Sequence, residues 1–141
     1  MIKRILPILL VLVCSCSSND VKKEDLATLN GYWEIKEVVF SDGNKKEYTA
    51  NATIDYISIK DAAGIRAKVY PKIDGSYTST NDQEHFTITE KDGHFLMFYK
   101  SDLSEWTETI KSISKNTFSI ENEENLIYIY KRYQPIISSQ Q

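Results

Sequence analysis

The stretch His85-Phe86-Thr87-Ile88-Thr89-Glu90-Lys91-Asp92-Gly93-His94-Phe95-Leu96-Met97-Phe98-Tyr99-Lys100 reads as two strands joined by a tight turn, and it decides the fold class. Phe86 and Ile88 alternate with Thr87 and Thr89, the period-2 pattern of a strand with one buried face. Asp92-Gly93 can supply the positive φ that a short hairpin turn requires. The return run, from His94 to Tyr99, is apolar on both faces, as in a strand covered on both sides or lying at a hydrophobic rim.

The same texture continues in both directions. Short Ile/Tyr/Phe/Thr-rich runs at 32–40, 53–59, 65–70, 75–79, 85–89, 95–100, 106–112, 118–121 and 126–133 are separated by turn residues, including Asp42-Gly43 and Asp74-Gly75. Ile65/Ala67/Val69 and Phe118/Ile120 alternate again. No stretch between 29 and 133 carries a helical period. Eight or nine antiparallel strands in roughly 105 residues predict an all-β antiparallel meander, closed as a barrel or folded as a sandwich.

The 141 residues fit a single domain preceded by a processing signal. Lys3 and Arg4 form a positive n-region, and 5–13 form an apolar run interrupted by Pro7. That run is far shorter than the roughly 20 residues a spanning helix needs. Val13-Cys14-Ser15-Cys16-Ser17-Ser18 follows and resembles a lipobox, which makes Cys16 the lipid-bearing N-terminus of the mature chain. Cys14 fits less well, because Val13 would occupy the small-residue position. Two or three acyl chains anchor firmly, each buried methylene contributing about 0.8 kcal/mol. Ser17, where an Asp would retain the protein at the inner membrane by analogy with enteric lipoproteins, favours the outer membrane. The chain therefore divides into a signal peptide (1–15), the lipidated cysteine with a flexible tether (16–28), a β domain (29–135) and a disordered tail (136–141). The tether's twelve residues, 17–28, are mostly polar and charged and reach about 40 Å when extended.

This division removes both cysteines from the chemistry of the domain, leaving no thiol nucleophile, disulfide or cysteine-ligated metal. Loss of Lys3 and Arg4 leaves 15 basic against 20 acidic side chains, a formal charge of −5. Such a domain repels phosphates at long range, so nucleic acid is not an expected partner. His85 and His94 flank the Asp92-Gly93 turn and could face each other across it, but no third ligand lies at metal-site spacing. No serine sits in a nucleophile elbow, and no glycine-rich loop cradles a phosphate. The expectation is a protein with no catalytic residues, metal or cofactor. Asn122-Glu123-Glu124-Asn125 reads as a solvated turn.

Leu29-Asn30-Gly31-Tyr32-Trp33 opens the first strand and resembles the G-x-W motif at the start of the lipocalin barrel. Gly75-Ser76-Tyr77 and the run 109–118 are similar to segments of small bacterial lipocalin-like lipoproteins. The resemblance spans the whole domain and implies an eight- or nine-stranded lipocalin-like barrel. It further implies that Gly31 permits a close turn and that Trp33 closes one end of the barrel. Arg132, or Lys131 beside it, then lies over the tryptophan in a cation–π contact.

Glu37, Tyr56, Phe98, Trp106 and Glu108 are the candidate lining of a ligand cavity. Glu37 shares parity with Trp33 and Ile35, and Glu108 with Trp106 and Ile110. Each carboxylate either lies inside a cavity or is turned outward by a bulge, and Val38 and Phe40 on the opposite parity favour a bulge near Glu37. Two functions follow. The expected function is to bind a small apolar or amphipathic ligand at the cell envelope; the alternative is a filled barrel that docks an envelope protein partner. The nine tyrosines suit cavity mouths and interfaces alike.

Overall fold

A computed structural model describes residues 20–135, so the signal peptide, Cys16 and the tail 136–141 lie outside the described residues. Nine strands form one antiparallel sheet: β1 (Gly31–Val39), β2 (Lys45–Glu47), β3 (Ile54–Lys60), β4 (Ala63–Pro71), β5 (Tyr77–Lys91), β6 (His94–Lys100), β7 (Glu105–Ile113), β8 (Thr117–Glu121) and β9 (Ile127–Arg132). Each of the strands from β3 to β9 pairs with the next, β1 pairs with β3, and β1 also pairs with β9. Eight strands thus close a lipocalin-like barrel, and β2 adds a short ninth beside the second half of β1.

The opening hairpin folds as its sequence indicates. Asp92 and Gly93 both take positive φ, 53° and 77°, and β5 meets β6 with Phe86 opposite Tyr99 and Ile88 opposite Met97. Phe95, Met97 and Tyr99 point inward and are buried, while Leu96 and Phe98 lie on the outer surface, half-buried between threonines. The two apolar faces of this strand therefore serve different layers. Trp33, Ile57, Phe86, Ile88, Phe95, Met97, Ile110, Phe118, Ile120 and Tyr130 fill the interior. Burying each large apolar side chain contributes about 1.5–3 kcal/mol.

Several boundaries differ from the sequence reading. The runs 75–79 and 85–89 belong to one long strand, β5, which bends at Asn81 (φ 64°) where a bulge interrupts its pairing with β4. The polar residues there support the bend rather than a break: Thr80 Oγ1 donates to Lys68 O (2.9 Å) and accepts from Asp82 N (3.1 Å). Residues 23–28 are not a loose tether. Lys23–Leu29 form a 3₁₀ helix across one end of the barrel, with Leu26 and Leu29 buried. Asp25 caps it by accepting from Lys22 N (2.9 Å). On β4 the alternation Ile65/Ala67/Val69 marks the outer face, and it is Arg66 and Lys68 that point inward, opposite Ile57 and Asp55.

Candidate functional site

The two ends of the barrel are built from different chemistry. At the end capped by the 3₁₀ helix, Trp33 is fully buried, stands edge-on to Phe118 (4.7 Å between ring centres) and donates Nε1 to Leu29 O (2.7 Å). The Arg132 guanidinium lies 4.0 Å above the indole. Its three nitrogens donate to Lys115 O (2.8 Å), Asn30 O (3.1 Å) and Thr28 O (2.8 Å), tying the last strand to the helix. Lys131, the other residue considered for this role, points outward and pairs with Glu34 (2.7 Å). Gly31 has φ +123°, and a Cβ there would stand 2.8 Å from Arg132 Nη1, so the close turn requires glycine. The structure thus brings Gly31, Trp33 and Arg132 together.

At the opposite end, the mouth, the interior turns polar around Arg66, whose side chain is 11% exposed. Nη2 donates to Asp55 Oδ2 (2.8 Å) and to the Tyr130 hydroxyl (2.5 Å). Nη1 donates to Glu108 Oε2 (3.2 Å) and to the Tyr99 hydroxyl (3.4 Å). Asp55, 1% exposed, also meets the Lys68 ammonium through its other oxygen. Glu84, opposite Arg66 on β5, adds a third inward carboxylate. Trp106 stacks face to face on Tyr99 (4.9 Å, 4°) and walls one side of the mouth.

Burial shapes the titration of this cluster. It pushes the Asp55 carboxyl upward, but Arg66 and Lys68 outweigh it and hold the group below the ordinary aspartate value. Glu84 moves the other way: burial, with Asp82, Glu108 and Asp55 nearby, raises it against the pull of Arg66. Burial would lower Arg66, yet Tyr130, Asp55, Tyr99 and Glu108 keep it charged well above the usual arginine value. Tyr130 is pushed up to about 12, chiefly by burial, and remains a neutral phenol.

The proposed cavity residues separate. Trp106 and Glu108 belong to the mouth. Glu37 does not: a bulge between Ile35 and Glu37 turns it outward, where it pairs with Lys45 (3.2 Å), and Val38 takes the inward position. Phe98 and Tyr56 also face outward. Tyr56 lies beside Tyr32, which stacks on Tyr77 (3.8 Å, 5°) in a tyrosine row on the outer wall. His85 and His94 do not face each other, since His94 pairs with Lys91, whereas His85 sits at the far end of the hairpin beside Gln83. Among the described residues no group of three or more His, Cys, Asp or Glu side chains is placed to hold a metal.

A cleft of about 330 Å³ opens at the capped end between Lys23 and Leu26 of the 3₁₀ helix and Ile88 and Phe95 of the barrel, whereas the polar cluster at the mouth leaves little space. The hollow bounded by Asp55, Arg66, Lys68, Asp82 and Glu84 measures about 60 Å³, well below the roughly 300–1,000 Å³ of ordinary small-molecule sites. Larger clefts lie at the edges. One of about 490 Å³ opens at the rim beside Trp106, Glu84, His85 and Asp102. Another, of about 610 Å³, lies on the outer wall between Tyr133, Pro71 and Ile73. Asp55, Arg66, Tyr99 and Tyr130 are not among the candidate site residues read from the sequence. The available signal was the pair of charges Arg66 and Lys68 alternating along a strand whose other face is apolar.

No protein of curated function matches the sequence. Among solved structures, the chain is similar to a lipocalin-like protein from Bacteroides uniformis ATCC 8492, with 12% identity and a TM-score of 0.47 over 75% of this chain and 99% of that one. It is also similar to apocrustacyanin C1 and apocrustacyanin C2, each with 10% identity and a TM-score of 0.48 over 84% of this chain and 68% of theirs. The family model of the lipocalin-like domain matches residues 29–120, from the turn before Gly31 and Trp33 through β8, and the chain belongs to that family.

Proposed function

We propose that this protein is an outer-membrane lipoprotein, anchored through Cys16, whose lipocalin-like domain has a filled barrel and docks a protein partner in the cell envelope. The observation that carries the reading is Arg66. Its guanidinium and five polar contacts occupy the volume through which an apolar ligand would enter. An acyl chain admitted there would strand Glu108 without its cation and leave Asp55 with Lys68 alone, at several kcal/mol for an uncompensated ion. Recognition then falls to the outside. Leu103, 97% exposed on the 101–104 turn at the mouth, is an apolar side chain with no intramolecular use.

A second reading rests on the 490 Å³ cleft beside Trp106, which is of small-ligand size and suits an amphipathic molecule with one aromatic-packed and one polar side. One set of measurements separates the two. Native mass spectrometry of the lipidated protein, purified from its own membranes, should show no stoichiometric small molecule. A photo-crosslinker replacing Leu103 should give a discrete adduct with another protein in intact cells. A co-purifying small molecule lost in Trp106→Ala would establish the second reading instead. An apolar molecule retained in that variant would overturn the filled barrel.

A further inference from the structure

We infer that the capped end of the barrel is the surface that lies on the lipid headgroups, so that the charged mouth is carried away from the membrane. The inference rests on the lipid anchor at Cys16 proposed above, and it adds a membrane-contact face and an orientation.

The path of the chain is the first argument. Packing against the barrel does not begin at Leu29. Val21 packs against the barrel core, and Asp20 and Val21 lie beside Gly93, His94 and Phe95 at the β5–β6 turn. From there the 3₁₀ helix runs across the capped end, held by the Arg132 bonds to Thr28 O and Asn30 O. The Asn30 side chain accepts from Ile59 N (2.7 Å) and fastens its far end. Three residues, 17–19, separate Cys16 from Asp20. Even fully extended, they allow about 14 Å between those two Cα atoms. The seven residues of β6, which run from the capped end to the mouth, span about 20 Å between the first and last Cα atoms. An anchor this short holds the capped end at the bilayer and leaves the mouth beyond its reach unless the barrel lies flat.

Charge disfavours the flat arrangement. Three turns at the mouth, 40–44, 101–104 and 122–126, carry Asp42, Asp102, Glu123 and Glu124, and of the lysines that flank them Lys45 and Lys100 are paired with Glu37 and Glu105, leaving Lys46. At the capped end Lys22, Lys23, Lys91 and Lys115 offset the acidic groups around them. An anionic leaflet therefore repels the mouth and tolerates the capped end within roughly a Debye length of about 8–10 Å.

The test uses the full, lipidated protein in phosphatidylethanolamine–phosphatidylglycerol vesicles containing a nickel-chelating lipid. Nitroxide labels are placed singly at Asn116→Cys, on the β7–β8 turn of the capped end, and at Asp102→Cys, at the mouth. Both are exposed turn residues without positive φ, so both variants should fold. The label at 116 should show severalfold faster paramagnetic relaxation than the label at 102. A long Gly/Ser spacer inserted after Ser18 should abolish that contrast. Vesicle flotation with equal or reversed relaxation overturns the orientation and leaves the anchor standing. Failure to float, with Cys16→Ser indistinguishable from the unaltered protein, overturns the anchor and the orientation together.

Discussion

Two arginines point into this barrel from opposite ends, and each is satisfied differently. Arg132 lies flat on Trp33 at the rim and donates only to backbone carbonyls, which water could solvate in its absence. Arg66 donates to two carboxylates and two phenols, all of them inward-facing side chains. The first arrangement needs no counter-charge because its cation stays partly hydrated. The second takes ions out of water, and for buried ions the desolvation penalty rivals the Coulomb attraction. The mouth cluster is therefore a poor source of stability and an effective plug. In this fold the capped end secures the barrel, while the mouth decides what can enter it.

The largest expected effects fall on one residue at each end. Trp33→Ala removes a fully buried indole and should lower unfolding free energy by about 3–5 kcal/mol, read from urea denaturation. Arg66→Met should lose up to a similar amount, about 3–5 kcal/mol, because Glu108 is left without its cation and Asp55 keeps only Lys68. Rescue is what distinguishes the ends. Replacing the whole cluster (Asp55→Leu, Arg66→Met, Glu108→Leu) should recover most of the loss, whereas no second substitution at the capped end should restore Trp33→Ala. A triple variant no more stable than Arg66→Met would show that the cluster contributes net stability.

Next in size is Arg132→Ala. A partly exposed cation–π contact contributes about 0.5–2 kcal/mol, and the three freed carbonyls lie where water can reach them. Because the guanidinium touches the indole, its effect should shrink in the Trp33→Ala background. Equal effects in both backgrounds would mean that the backbone hydrogen bonds, rather than the indole, hold Arg132.

The contrast between the ends also explains what could be read from the sequence. The capped end was legible through a resemblance: Gly31-Tyr32-Trp33 at the start of β1 is similar to the opening lipocalin motif, and that likeness implied Arg132 at the end of β9, which pairs with Trp33 once the barrel closes. The hairpins were legible through Asp-Gly turns and period-2 alternation. The mouth was not, because its partners come from β3, β4, β5, β6, β7 and β9, and no single strand carries the signal. On β4 the apolar set Ile65/Ala67/Val69 pointed to the wrong face. Ala67 and Val69 are buried on the outer wall, where they pair with Tyr56 and Ile54. The same two-layer arrangement turned Tyr56 and Phe98 outward. Burial of apolar residues was read correctly, but a second buried layer outside the barrel was needed to place them.

The smallest effect is a pH dependence confined to the mouth. Asp55 has a folded-state pKa below its ordinary value, because Arg66 and Lys68 outweigh burial. Its stabilisation is fully present above the unfolded value of about 3.9 and is lost as pH falls through the lower folded value. Glu84 is raised, so it acts with the opposite sign and in a different window. From about pH 4.3 up to its folded value, the native state holds a proton that the unfolded chain has released, and stability falls as pH rises. Urea midpoints followed from pH 3 to 7 should therefore separate the two groups. Asp55→Asn should flatten the acid limb while lowering stability at every higher pH. Glu84→Gln should leave that limb unchanged and remove the decline above about pH 4.3. Arg132 has no titration in this range, so Arg132→Ala should shift the whole profile downward without changing its shape. A change of shape in that variant would mean that the capped end and the mouth are coupled through the aromatic stack of Trp33, Phe118 and Tyr130, whose rings are in sequential contact.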